Sequence, residues 1–168
     1  MKTTLITIVI LLNALVVQAQ DMGIEKGWKG IKLFETTQAD IEEITGKKTS
    51  TLWPSLYVPS NDKEAALINA SFSKGPCVGD PTDASRYNID KNRLIAIAIT
   101  FGNAAKFSDQ KLQQKYTRTD NAAHNGWLYT NQDGSIIIWT RKFEGEDEIL
   151  FNVTYLPTSQ QKTKYKCS

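Results

Sequence analysis

Two segments in the middle of the chain alternate between apolar and other residues with a period of two. The apolar residues at these alternate positions are Ala66, Ile68, Ala70 and Phe72 in the first segment, and Ile95, Ile97, Ile99 and Phe101 in the second. Successive side chains of a strand point to opposite faces of a sheet, so this period predicts two strands that each bury one face. The small residues Ala96 and Ala98 between the isoleucines suit close cover by a helix or by neighbouring strands.

Later segments predict further strands. Residues 127–131 and 135–143 flank Gln132-Asp133-Gly134, where glycine supplies the positive φ of a hairpin turn. Residues 149–155 form the last predicted strand, and residues 56–58 form a short early one. Residues 107–116 fit either a capped helix or, slightly better, an extended edge segment. Short strands joined by turns pair antiparallel, so we expect a meander with hairpins.

One helix is predicted near the start of the globular region. Thr37 and Asp40 have the spacing of a capping box, Ile41 and Ile44 lie on one side, and Gly46 suits the left-handed residue after the helix. A helix this short depends on packing against something else. The sequence therefore predicts an α+β fold, with an N-terminal helix packed on an antiparallel β-sheet in one domain spanning residues 20–168.

The first nineteen residues have the layout of a secretory signal peptide. Lys2 precedes an apolar run of about 13 residues, and Val17-Gln18-Ala19 places small residues at the cleavage site. The run is well short of the ~20 residues that span a bilayer as a helix. We therefore expect cleavage after Ala19, a mature chain without a membrane span, and a secreted or periplasmic location.

Cys77 and Cys167 are the two cysteines of the chain. In an oxidising compartment a single pair of thiols most simply forms one disulfide, which would join the loop after Lys74 to the C-terminal end. Two cysteines and the single histidine, His124, are too few for closed zinc coordination. The sequence predicts a structural disulfide, with no metal and no cofactor.

The sequence offers little catalytic chemistry. It has no nucleophile elbow, phosphate loop or dinucleotide fingerprint, and His124 lies in a polar stretch, 120–126, that is typical of an exposed loop. Carboxylates cluster at Glu144, Glu146, Asp147 and Glu148, where a solvated hairpin tip is favoured over a calcium site or a pair of catalytic acids. With 20 basic and 18 acidic residues, the chain has no strong attraction to nucleic acid or anionic membranes.

Large aromatic residues are the feature that most suggests binding. Tryptophan and tyrosine dominate binding hot spots, but they also fill the cores of sheets, and the sequence leaves both roles open. The candidate binding aromatics are Trp28, Trp127, Tyr129 and Trp139.

Several short motifs resemble an uncharacterised family of secreted proteins from soil bacteria such as the Acidobacteria. They are Gly27-Trp28-Lys29-Gly30-Ile31, Ser73-Lys74-Gly75-Pro76-Cys77, Tyr87-Asn88-Ile89, Gly134-Ser135-Ile136 and Tyr155-Leu156-Pro157 with Cys167 near the end. Residues 33–46 are also distantly similar to the opening of helix-plus-sheet domains such as the outer-membrane assembly lipoprotein BamE and the β-lactamase inhibitor protein. The resemblance to the secreted family implies fold and export but no function. The similarity to BamE-like domains implies a helix packed on an antiparallel sheet and a role in binding proteins rather than in turnover. The longer, strand-rich second half and the lack of a lipid anchor depart from BamE.

Together these features predict an exported, non-enzymatic binding module whose partner is a protein or a glycan. The alternative from a different class is a secreted hydrolase that uses the clustered acidic residues at 144–148.

Overall fold

The structure is a computed structural model that describes residues 24–46, 55–60, 65–79, 86–102, 107, 115–121, 125–142 and 147–167. The predicted signal peptide, His124, Glu144 and Glu146 lie outside the described residues.

Within the described residues, seven strands form one sheet, and their antiparallel pairing is as the sequence predicts. They are β1 (Leu56–Tyr57), β2 (Ala65–Phe72), β3 (Leu94–Phe101), β4 (Thr117–Asn121), β5 (Gly126–Thr130), β6 (Ile136–Arg141) and β7 (Ile149–Tyr155). The spatial order is β1-β2-β3-β7-β6-β5-β4, so the sheet consists of two sequential runs joined by the pairing of β3 with β7. The expected meander is therefore correct within each run, while the junction between the runs is a long-range pairing.

The predicted β5–β6 hairpin is confirmed, and side chains fix its turn. Gly134 has a φ of 71°, as the turn requires. The Asn131 side chain accepts from the Ile136 amide at 2.9 Å, and Asp133 accepts from the Ser135 amide at 3.0 Å. Hydrogen bonds from Ser135, first from its side chain and then from its amide, hold the pKa of Asp133 below its usual range.

Irregular pairing changes which residues are buried. Ile68, Ile97 and Ile99 are buried as predicted, but Ala66 is exposed because the register shifts between Ala65 and Leu67. A second shift, beside Trp139 and Thr140, makes Leu150 rather than its neighbours the fully buried residue of early β7. A bulge adds a residue on one strand and so reverses the faces beyond it.

Helix α1 (Gln38–Thr45) begins and ends as predicted. The Asp40 amide donates to Thr37 Oγ1 at 3.2 Å, and the Thr37 amide donates to the Asp40 carboxylate at 2.7 Å. The bonds from Thr37 also hold the pKa of Asp40 below its usual range. Ile41 of this helix is fully buried in the same cluster as the strand residues.

Two elements were not predicted. Helix α2 (Ser159–Lys164) lies in the segment that reads as a polar tail, and β4 includes Asp120 and Asn121 of the supposed loop. No residue of α2 is buried, so it has no apolar stripe to give a helical period. Its capping box, between Thr158 and Gln161, is the local signal that could have revealed it.

The buried apolar residues that the structure describes fall into two clusters. The larger cluster, the sheet core, covers one face of the sheet, here called the inner face, and includes Ile41 of α1. It also includes Trp28, from the second of two short 3₁₀ turns, Ile24–Lys26 and Trp28–Gly30, here called the N-terminal turns. The smaller cluster consists of Phe34, Tyr87 and Ile89, with Tyr165 packed against it.

The predicted disulfide joins Cys77 to Cys167, with 5.7 Å between their Cα atoms. Within the described part of the chain, no helix has the length and apolar character needed to cross a bilayer.

Candidate functional site

The four candidate binding aromatics divide between the interior and the surface. Trp28 and Tyr129 are only 4% and 3% exposed, so their rings belong to the sheet core. Trp127 is half-buried and packs against that core, with the Arg118 guanidinium 5.1 Å from its ring centroid. Trp139 is half-buried on the opposite, outer face of the sheet. Of the four, Trp139 has the position best suited to contact a partner.

The pairing registers align Trp139 with uncharged neighbours across the outer face. One row of paired residues contains Leu67, Thr100, Asn152, Trp139, Leu128 and Thr119. The adjacent row takes one residue from each of the seven strands: Leu56, Asn69, Ala98, Thr154, Ile137, Thr130 and Thr117. We call these two rows the outer strip.

The outer strip is partly accessible to solvent and contains no charged residue. All of its side chains are exposed or half-buried, and none is acidic or basic, although 23% of the whole chain is charged. At about 4.8 Å between neighbouring strands, a row across the sheet spans roughly 29 Å. Exposed sheet faces usually carry charges, so an uncharged strip of this length points to a contact surface.

Hydrogen bonds fix the centre of the outer strip. The Asn152 side chain donates from Nδ2 to Thr100 Oγ1 at 3.0 Å, and Thr154 Oγ1 donates to Asn152 Oδ1 at 3.0 Å. These residues come from the paired strands β3 and β7, so the two runs of the sheet are tied together there. The strip thus presents fixed hydroxyl and amide groups beside the Trp139 ring.

A separate pocket of about 320 Å³ opens at one end of the inner face. The N-terminal turns, the start of β6, the end of β7 and the start of α2 surround it. A tight turn at Gly27-Trp28-Lys29-Gly30 shapes one wall, and a Cβ on Gly27 would lie 2.4 Å from the Ile31 carbonyl oxygen. Gly27 has a φ of 85°, so glycine is required on both counts.

Glu148 is the described acid most firmly placed in the predicted acidic cluster. Tyr129 donates a hydrogen bond to its carboxylate at 3.2 Å, and the Thr140 hydroxyl donates to the other oxygen. Burial, together with this bond, raises the pKa of Tyr129 to about 12. The contacts anchor Glu148 to β5 and β6, and Asp147 beside it is exposed. The hydrolase hypothesis stays a prediction, since Glu144 and Glu146 are not described.

The described residues contain no group of three or more histidine, cysteine, aspartate or glutamate side chains that could hold a metal ion. Comparison with protein-family models, with curated proteins and with solved structures gives no match to this chain.

Proposed function

We propose that this protein is an exported, non-enzymatic binding module that recognises a neutral glycan through the outer strip. The single observation that carries the proposal is the pair of uncharged, solvent-accessible rows across the sheet, with Trp139 among them.

The chemistry of the strip favours a glycan over a protein partner. Sugar rings present hydroxyl groups at their edges and apolar C–H faces, which match hydroxyl and amide side chains beside an aromatic ring. Protein interfaces usually carry a polar, charged rim with several aromatic anchors, whereas the strip has one large ring and five threonines, at 100, 117, 119, 130 and 154.

The shape of the strip favours binding over turnover. Catalytic acids must face each other across a cleft, and the strip itself contains no carboxylate. The two described acids of the predicted acidic cluster do not face each other across a cleft in this way. Glu148 is hydrogen-bonded to Tyr129 and Thr140, and Asp147 is exposed.

Two observations support export. Residues 1–19 have the composition of a signal peptide, and the Cys77–Cys167 disulfide is typical of proteins in oxidising compartments. Mass spectrometry of protein recovered outside the cytoplasm should show a chain that starts at or next to Gln20, and an intact N-terminus would contradict export by cleavage.

Affinity electrophoresis through gels that contain a soluble polysaccharide tests the glycan proposal. We expect at least one neutral polysaccharide from a panel of dextran, hydroxyethyl cellulose, galactomannan and laminarin to retard the protein, and anionic alginate to leave it unretarded. Trp139→Ala should weaken the retardation at least about tenfold, because an aromatic anchor at the centre of a contact surface dominates its energy.

A matched pair of charge insertions locates the surface. Thr130→Lys places a cation within the outer strip, whereas Gln132→Lys places the same charge two residues further along, in the exposed β5–β6 turn. We expect the first variant to bind more weakly and the second to bind as the unmodified protein does, with circular dichroism showing that both fold. The proposal is refuted if all variants bind equally, or if none of the neutral polysaccharides retards the protein. If the protein instead forms a stoichiometric complex with another protein, and Trp139→Ala abolishes that complex, the partner is a protein and not a glycan.

A further inference from the structure

The pocket beside the N-terminal turns has an apolar interior and a charged mouth. Its interior residues are buried and contributed by distant parts of the chain: Trp28, Ile31, Ile97 and Tyr155. Burial also raises the pKa of Tyr155, so this phenol stays neutral throughout the ordinary pH range. A volume of about 320 Å³ is at the small end of the range for pockets that bind small molecules.

Some charged side chains at the mouth of the pocket form ion pairs, and one does not. Glu25 forms an ion pair with Lys115 at 2.9 Å, and Lys32 forms one with Glu35 at 3.6 Å. Lys26 also lines the pocket, and it has no ion-pair partner among the residues that the structure describes. The mouth therefore presents one cation whose charge is not offset by a described neighbour.

The walls of the pocket are held in place before any ligand binds. Gly27 and Gly30 adopt φ values of 85° and 75°, and the Ile31 amide donates to the Trp28 carbonyl at 3.0 Å, which closes the turn. On the opposite side, the Gln161 side chain bonds the Thr158 amide at 3.0 Å and reaches the Leu33 carbonyl at 3.4 Å. A preformed site loses less conformational entropy on binding.

We infer that this pocket binds a small organic carboxylate with an apolar body. The body packs against Trp28, Ile97 and Tyr155, and the carboxylate lies at the mouth beside Lys26. An apolar interior gives most of the affinity through buried area, and the single unpaired cation selects an anion over a cation of the same shape. This site is on the inner face, so it is independent of the outer strip.

Titration of the isotopically labelled full-length exported protein with 3-phenylpropionate tests the inference by NMR. The expected Kd is on the order of 1 mM, since a ligand of this size gains a few tenths of a kcal/mol per atom. The amide shifts should concentrate on residues 25–35, 135–136 and 155–161. The amine with the same body, 3-phenylpropylamine, should bind at least about fivefold more weakly.

A matched pair of lysine variants gives the second test. Lys26→Met removes the cation at the mouth and should weaken phenylpropionate about fivefold, whereas Lys91→Met, an exposed lysine away from the pocket, should leave the affinity unchanged. The inference is overturned if the protein binds the amine as tightly as phenylpropionate, or if Lys26→Met leaves the affinity for phenylpropionate unchanged. It is also overturned if the amide shifts are centred outside the pocket or do not saturate.

Discussion

The sheet core and the small cluster at the disulfide bury side chains in different ways. In the sheet core, the fully buried residues are mostly aliphatic and come from adjacent, hydrogen-bonded strands, as with Ile68, Ile99 and Val153. In the small cluster, the Phe34 ring contacts Tyr87 and Tyr165, with 4.9 Å between ring centroids in each case. Among the described residues, the backbone there is held by an isolated bridge, Tyr87 with Lys166, and by hydrogen bonds outside the sheet ladders, one of them from the Phe34 amide to the Leu94 carbonyl at 2.7 Å.

The difference shows that side chains are held in place in two ways in one small domain: by the pairing of strands, or by contacts between rings together with a disulfide. A ladder of hydrogen bonds already sets the positions of the strands, so aliphatic side chains need only fill the space between them. Segments without a ladder need other constraints, and here these are large rings in contact and a covalent bond across a sequence separation of 90. We therefore expect the small cluster, and not the sheet core, to respond locally to loss of the disulfide.

The largest effect is expected from removal of the disulfide. Replacing Cys77→Ser together with Cys167→Ser should lower the free energy of unfolding by roughly 4–5 kcal/mol, because closing so long a loop restricts the unfolded chain. Urea denaturation measures the loss. In the folded variant, the NMR signals of Phe34, Tyr87 and Tyr165 should move toward random-coil positions while those of Ile99, which lies in the sheet core, stay native. Equal changes at Ile99 would contradict the separation of the two clusters.

A matched pair of isoleucine truncations compares the clusters directly. Ile99→Ala should cost about 4 kcal/mol of unfolding free energy, since Ile99 is fully buried between paired strands that cannot close around a cavity. Ile89→Ala should cost about 2 kcal/mol, because loop segments around it can relax. Thermal or urea denaturation measures both losses. If Ile89→Ala loses as much unfolding free energy as Ile99→Ala, or more, the two clusters do not differ in packing as described.

Alkaline pH should weaken the sheet core through its tyrosines. Burial, first of all, raises the pKa of Tyr129 and of Tyr116 to about 12 in the folded protein, against about 10 in an unfolded chain. A raised pKa means that the folded state binds the proton more tightly, so stability is complete below pH 10 and declines as the pH rises toward 12. Ultraviolet absorbance of tyrosinate follows the ionisation, and Tyr129→Phe should have one tyrosine fewer that ionises well above pH 10. Ionisation of all tyrosines near pH 10 in the folded protein would contradict this.

The smallest effect is expected at the edge of the small cluster. Tyr165→Ala removes the edge-to-face contact with Phe34, which is worth about 1 kcal/mol beyond the buried area. Hydrogen exchange should quicken at residues 161–166 and at the Asn88 amide, which donates to the Tyr165 carbonyl. Faster exchange in β6 as well would show that the small cluster supports the whole sheet.

Local patterns predicted the parts of the fold that local chemistry determines. The alternation around Ile97, the turn at Gly134 and the capping box of α1 were all sufficient by themselves. The pairing of β3 with β7 was not predictable, because the contacts that select it lie more than fifty residues apart in the chain. Strand β4 and helix α2 both lack an apolar period. Pairing with β5 defines β4, whereas α2 has no buried residue and is marked in the sequence by its capping box alone.

The candidate sites were less predictable than the fold. Period-two patterning places Trp127 and Tyr129 on one side of a strand, but the sequence does not reveal which side is buried. The outer strip exists only through the registers of all seven strands, and the pocket only where residues 25–35 meet residues 135–161. The signal for the strip, uncharged residues at the paired positions of two neighbouring rows, becomes visible once the registers are known.

The pairing of β3 with β7 is the claim on which both the outer strip and the sheet core depend. Nuclear Overhauser contacts between the backbone protons of Ala98 and Thr154 test it most directly, since these residues are opposite each other in the two strands. We expect cross-strand contacts for this pair and for Ile99 with Val153. Contacts from β3 to β4 in their place, as a simple sequential meander would give, would break both rows of the outer strip and contradict this strand order.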